Sequence, residues 1–393
     1  MGYDVVIIGG GNAGLSVASR LARKRLRIAV VEPADAHFYQ PMWTLVGAGL
    51  VSAEATRRRE SAVMPAGADW IRASAVQVSP DRSAVVLDDG SEISFETLVL
   101  CPGIQLNWDG IPGLAAAVEG PHASSNYRYD LAPKTAEKIR AMRSGDALFS
   151  APPGPVKCGG APQKIAYLAA DHWRRTGVDK DISITMVLPA AAIFSVKPFA
   201  DTLTQVAARY GIRVLLEREL TRIDADARTV TFAHADGEET LAYDFAHFVP
   251  PQSAPDWVRE SPLAAPGDPR GYVDVDPGTL QHLRFPNVFA IGDVAALPTS
   301  KTGAAIRKQA PVLVTNLLAF LGGRPLSASY DGYTCCPLTT ARGKVVLAEF
   351  TYGDAPAPSF PGIDTTKERL DMWVLKRYLL PFLYWNAILP GRM

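Results

Sequence analysis

The chain has 393 residues, enough for two or three domains with sizeable cores. Its 40 basic and 40 acidic residues cancel, so no global charge argues for a nucleic-acid partner. Four cysteines, Cys101, Cys158, Cys335 and Cys336, are too few for a secreted disulfide framework, and neither they nor the six histidines show metal-ligand spacing.

Strand residues from Tyr3 to Ile8 run directly into Gly9-x-Gly11-x-x-Gly14, and a helix-permissive stretch, Leu15 to Arg23, follows. A second strand, Arg27 to Val31, ends on Glu32. Such a turn cradles a pyrophosphate. The first glycine makes the tight turn, the second admits the phosphates close to backbone, and the third packs helix on strand. Asn12 and Ala13 lie inside the cradle, and Glu32 stands where an acid accepts from ribose hydroxyls. The early strand leaves no room for a signal peptide, so a cytoplasmic-type enzyme with reduced thiols is expected.

Arg57 to Arg59 reads as a solvated surface turn, and residues 69 to 100 as a β-meander set into the first domain. Leu98 to Gly103 is the strand and turn that closes this domain, with Gly103 at the cofactor and Cys101 as a small core residue. A second α/β unit has a strand at Ala147 to Ser150, a loop over residues 151–160, a helix from Ala161 to Arg175, and a strand from Ile182 to Leu188. Prolines and Cys158 stand where a second glycine cradle would lie, and the next strand ends in Leu188-Pro189 without a ribose reader. The unit has the topology of a nicotinamide site without its phosphate cradle, which argues against an NADH donor. Thr204 to Tyr210 reads as helix, and Arg213 to Leu216, Val230 to Phe232 and Tyr243 to Val249 as strands. Pro250 to Pro266 is the expected crossing back.

The segment from Thr279 to Asp293 delivers Gly292-Asp293 at the end of a short strand. It resembles the second FAD motif of flavoproteins with two dinucleotide domains, where the aspartate holds the ribityl chain. FAD is therefore the expected cofactor. The fold expected is α/β: two Rossmann-like domains in the manner of glutathione reductase, plus a C-terminal aromatic amphipathic segment. Expected boundaries are 1–118 and 262–330 for the FAD domain, 119–261 for the second domain, and 331–393 for the C-terminal segment.

Cys158 lies just before a helix start, beside Lys157 and ahead of Gly159 and Gly160. A helix N-terminus and an ammonium both favour thiolate, and the glycines admit a planar group. In an extended strand, only one of Cys335 and Cys336 faces a given partner; a vicinal disulfide between them is the other arrangement open. From Asp371 to Leu389 the chain is rich in tryptophan, tyrosine and leucine, carries Lys376 and Arg377, and is expected to break at Pro381. No run of roughly 18 apolar residues spans a bilayer. The segment suits either a membrane interface or a helix capping an apolar pocket. Its removal is expected to lower quinone turnover while leaving flavin reduction intact.

Val156–Ile165, Leu297–Thr302 and Tyr330–Leu338 together resemble sulfide:quinone oxidoreductases, in the branch that includes the mitochondrial enzyme. His37–Gly49, Lys367–Arg369 and Pro381–Asn386 fit the same family, so the likeness runs through nearly the whole chain. It implies a redox pair of Cys158, near the flavin, and Cys336. Sulfide would attack the oxidised pair, a persulfide would form on Cys336, and Cys158 would pass two electrons to the flavin. Lys301, just past Gly292 and Asp293, is the candidate to hold positive charge at the reduced flavin. The resemblance further implies a quinone as electron acceptor and sulfide, sulfite or a small thiol as acceptor of the sulfane sulfur. It also implies peripheral attachment to a membrane surface, with the cytoplasmic face expected. Two other functions compete: a type II NADH:quinone oxidoreductase, and a non-catalytic persulfide carrier or redox sensor that bears the flavin.

Overall fold

The computed structural model describes residues 2–393. Strand β1 (Tyr3–Ile8) is buried from Val5 onward, which is why it reads as a continuous apolar run. Helix α1 (Asn12–Leu21) begins three residues earlier than its apolar pattern suggests. A Cβ on Gly14 would overlap the Gly9 carbonyl, so glycine there lets α1 press onto the turn. Strand β2 (Ile28–Val31) pairs in parallel with β1, Val5 opposite Ile28, and Asp69–Ile71 adds a parallel edge. On the other side of β1 lies β3 (Glu92–Leu100), also parallel. The start of β3 pairs antiparallel with Ala84–Leu87, and that strand with Ala75–Ser79. The expected meander is there, except that residues 69–71 belong to the parallel sheet.

The second unit is a five-stranded parallel sheet built around β4 (Gly145–Ser150). Helix α2 (Ala161–Thr176) links it to β5 (Ile182–Val187). β6 (Phe245–His247) flanks β4 on the other side. Arg213–Leu215 and Ala123–Ser124 form the edges. A separate three-stranded antiparallel sheet covers residues 219–242. The chain then returns to the first unit, where β7 (Val288–Ala290) pairs with the end of β3 and helix α3 (Gly303–Leu321) follows.

The hairpin of β8 (Thr334–Ala341) and β9 (Lys344–Phe350) joins the two units. Alternation along it sends Cys335, Val345 and Leu347 into the first core and Cys336, Leu338, Val346 and Ala348 into the second. Arg57–Arg59 is not a turn but a fully exposed strand, antiparallel to Ala36–Phe38.

The C-terminal segment does not break at Pro381. Residues 370–388 wind on through four right-handed stretches, Leu370–Val374, Leu375–Leu379, Leu380–Leu383 and Tyr384–Ile388, the second and fourth of them π-helical. A π turn bonds residues five apart, so the carbonyl that a proline ring would strike is displaced. One face of this tail helix buries Met372, Trp373, Lys376, Tyr384 and Ile388, while Leu370, Val374, Tyr378 and Phe382 stand exposed at four-residue spacing. Among the described residues, no helix is long and apolar enough to cross a membrane.

Candidate active site

The carboxyl ends of β1, β3 and β7 open into a cavity of 370 Å³. Gly9, Gly11, Asn12, Ala13, Glu32, Gly103, Gly292, Asp293 and Lys301 all line it. Gly14 does not, because it is spent on packing α1 against the turn. Gly9 has φ +103°, a backbone state closed to most side chains. The Gly10 N–H donates to Glu32 Oε2 at 2.7 Å and the Ala34 N–H to Oε1 at 2.8 Å. Burial raises the Glu32 carboxyl pKa against those two donors. The Asn12 amide donates to the Gly303 carbonyl at 3.1 Å and so ties α1 to the start of α3.

The opposite end of the cavity is built by the loop before α2. Cys158 lines it, with φ +53°, a left-handed state that costs about 1–3 kcal/mol for a non-glycine residue. Its N–H donates to the Lys301 carbonyl at 2.5 Å and its own carbonyl accepts from Ala161 N at 2.6 Å, which hold the turn in place. Cys336 does not line the cavity; it lies behind Cys158, 1 % exposed, with the two Sγ atoms 3.5 Å apart. The approach depends on Gly160, where a Cβ would stand 2.9 Å from Cys336 Sγ and run into Leu338. All four cysteines are free, so Cys335 and Cys336 share no disulfide. Cys335 faces the other core, and burial pushes its thiol up.

Charge at the sulfur pair comes from a residue the sequence reading passed over. Lys164 is 2 % exposed and its Nζ donates to Cys158 Sγ at 3.0 Å. Cys158 is held well below the ordinary thiol range, first by the hydrogen bond from the Cys336 thiol and then by the Lys164 ammonium. Cys336 is pushed the other way by the same contact and by burial. Burial lowers Lys164, but the Cys158 charge outweighs it and the ammonium persists.

Lys157, expected to help Cys158, points elsewhere. Its Nζ donates to Gln40 Oε1 at 2.6 Å and lies over the rings of Trp43 and Tyr127, with burial bringing it down to about 8. Lys164 had one legible signal: a lysine in the first turn of a helix opposes the dipole and needs a reason to be there.

Lys301 is buried in the cavity wall; its Nζ donates to the Ala295 carbonyl at 2.9 Å and lies 3.7 Å from the centre of the Tyr272 ring. Burial lowers it to about 8 while Asp293 opposes the shift. Asp293 is in turn raised by burial, with Lys301 and Lys157 countering. Lys376, from the tail helix, is also buried and donates to the Pro41 carbonyl at 2.6 Å; burial and then Lys164 lower it to about 8. Tyr384 of the same helix lines the cavity. Truncation from Trp373 would remove this lining residue, so the tail is part of the cofactor wall as well as of the outer surface.

The cavity fits a flavin dinucleotide. A Cβ built on Gly11 or Gly103 meets nothing, so both edges face open space. Trp43, Glu60 and Asn126 line it, and Trp43 Nε1, Glu60 Oε1 and both amide atoms of Asn126 are buried with no hydrogen-bond partner in the protein. Unpaired buried polar atoms of this kind are costly unless a ligand meets them. Among the described residues no group of histidine, cysteine, aspartate or glutamate suits a metal ion.

Comparison with known proteins agrees with this geometry. Residues 3–316 match the family model described as pyridine nucleotide-disulphide oxidoreductase. The mitochondrial sulfide:quinone oxidoreductase of Dictyostelium discoideum is 41% identical over 392 residues, 99% of this chain and 86% of that protein. The Mus musculus enzyme of the same name is 40% identical over 394 residues, covering 99% and 87%. In structure, the sulfide:quinone oxidoreductase of Aquifex aeolicus superposes with a TM-score of 0.86 at 19% identity, covering 99% of this chain and 92% of that one.

Proposed function

The chain belongs to the sulfide:quinone oxidoreductases, FAD-dependent enzymes, and from that premise we propose how its own residues carry the reaction. The observation that carries the reading is Cys158 Sγ at the end of the cofactor cavity, 3.5 Å from Cys336 Sγ and 3.0 Å from Lys164 Nζ.

The structure shows the pair reduced, and the cycle starts from its oxidised form, a disulfide or a bridge with further sulfur between the two cysteines. Hydrosulfide attacks the Cys336 sulfur. The bond to Cys158 breaks, Cys336 is left as a persulfide, and Cys158 leaves as a thiolate. Lys164 lowers the cost of that departure because its ammonium already sits against the leaving sulfur. An acceptor (sulfide, sulfite or a small thiol) removes the sulfane sulfur, and the pair re-forms its bridge with loss of two electrons and the Cys336 proton. FAD, held by the residues of the cavity described above, would supply the two-electron acceptor between the cysteine pair and a quinone. Lys301 holds positive charge in the wall of that site, where it favours the reduced, anionic cofactor.

The exposed row of Leu370, Val374, Tyr378 and Phe382 supplies a membrane-facing surface, from which a lipid-soluble quinone approaches. The non-catalytic carrier and the NADH-driven enzyme are the readings to separate from this one. Anaerobic sulfide should bleach the flavin, and a short-chain quinone should restore it over many cycles. Bleaching without restoration would leave only the carrier. Stoichiometric bleaching by micromolar NADH would point to the other donor.

A further inference from the structure

Three buried residues beside the phosphate-binding turn, Glu60, His37 and Tyr384, have no part in that scheme. Glu60 is 1 % exposed, and its Oε2 lies 3.4 Å from His37 Nδ1. His37 Nδ1 also lies 3.1 Å from the Gly10 carbonyl, and Nε2 lies 2.5 Å from the Tyr384 hydroxyl. Both neighbours of Nδ1 are acceptors, so the ring proton sits there and Nε2 accepts from Tyr384. One carboxylate, one imidazole and one phenol thus run from the cradle into the tail helix.

Glu60 is one of the residues lining the cavity, and its remaining oxygen, Oε1, is buried and has no donor in the protein. It stands next to Glu32: a Cβ built on Gly10 would be 2.7 Å from Glu60 Oε1 and 2.6 Å from Glu32 Cγ. Both Glu32 oxygens already accept a backbone N–H. Two close carboxylates repel each other, and an orphaned buried acceptor is costly, unless a ligand brings hydroxyl donors to both. A ribose carries two neighbouring hydroxyls.

We propose that Glu60 is a second ribose-binding carboxylate for the adenosine half of the FAD, beside Glu32, with His37 and Tyr384 as its positioning residues. The proposal rests on FAD occupying this cavity. It assigns the tail helix a share in holding the cofactor: Tyr384 fixes His37, His37 fixes Glu60, and Glu60 meets a hydroxyl. It gives these residues no step in the sulfur chemistry.

The test is flavin binding by the full-length chain, read from flavin fluorescence, with FAD and with analogues lacking the 2′- or 3′-hydroxyl of the adenosine ribose. Glu60→Gln should weaken FAD binding roughly tenfold. With whichever analogue lacks the contacted hydroxyl, wild type and Glu60→Gln should bind alike. Tyr384→Phe, which keeps the ring, should lose a few-fold for FAD and part of the discrimination between FAD and that analogue. Should Glu60→Gln fold poorly, Glu60→Asp serves in its place, because it keeps the charge but withdraws the oxygen. If the variants weaken FAD and both analogues equally, Glu60 is structural and the assignment is wrong. If wild type fails to retain FAD at all, the cofactor reading itself falls.

Discussion

The two α/β units share a design and use it for opposite purposes. In each, a strand feeds a loop that feeds a helix: β1 into α1, and β4 into α2. At α1 the helix N-terminus faces open space, and a Cβ on Gly11 meets nothing. At α2 the same place is filled by protein, since Gly160 abuts Leu338 and Cys336 of the β8–β9 hairpin. The first unit leaves its backbone donors for a phosphate, while the second has given that space to a sulfur pair. A Rossmann-like topology therefore predicts where a ligand can sit, and the side chains at the helix N-terminus decide whether one does.

That contrast can be broken at either unit. The largest effect is expected from Cys158→Ser, which should reduce sulfide-driven flavin bleaching by at least about a thousandfold. Bound FAD should remain visible in the absorbance spectrum, because the α1 cradle is intact. Cys336→Ser should likewise stop turnover while permitting slow flavin reduction by sulfide alone. Next comes Lys164→Met. Losing an ammonium 3.0 Å from the sulfur should slow bleaching about a hundredfold. The Cys158 thiolate is held at low pH in part by Lys164, so the limb of an alkylation-rate profile should move to higher pH in the variant. An unmoved profile would remove Lys164 from the mechanism.

Filling the other helix N-terminus should do the reverse. Gly11→Leu puts a side chain into the open phosphate space, and flavin occupancy after gel filtration should fall about tenfold or more. The Cys158 alkylation profile should stay near that of wild type, since the two sites are built by different loops. Smallest of all is Cys335→Ser. Its sulfur faces the core shared with Val345 and Leu347, so sulfide-dependent quinone reduction should remain within about twofold of wild type. A dead Cys335→Ser beside an active Cys336→Ser would exchange their roles.

Much of this was readable from short-range pattern. A turn such as Gly9-x-Gly11-x-x-Gly14 is local, so strand, helix and cradle follow from adjacent residues. The same holds for the alternation that separates Cys335 from Cys336, which needs only an extended strand. What was not readable depends on distant packing. Glu60, His37 and Tyr384 share no motif; they meet because the Ala36–Phe38 strand pairs with Arg57–Arg59 and the tail helix packs against it. Lys157 was credited with the work of Lys164 because sequence adjacency says nothing about side-chain direction at a left-handed residue such as Cys158. Proline disrupts an ordinary α-helical ladder, so sequence alone predicts a break at Pro381, whereas here π turns lie on either side of it.

The tail helix has a consequence for how the protein is made. Every other residue lining the cavity lies at or before Ile306, so the residues of most of that wall are synthesised before residues 370–388. Until then the side that Tyr384 later covers stands open, and the flavin has a wide entrance. Once Lys376 has reached the Pro41 carbonyl and Ser16 Oγ the Ile388 carbonyl, the entrance narrows. A flavin entering on the Tyr384 side would therefore load more readily during synthesis and leave the finished protein only when the tail lifts. A chain translated without riboflavin supply and given FAD afterwards should take it up more slowly than one translated with FAD present. Contact of the exposed Leu370, Val374, Tyr378 and Phe382 row with lipid would hold the tail down, so the surface proposed above for quinone approach would also delay the exit of the cofactor.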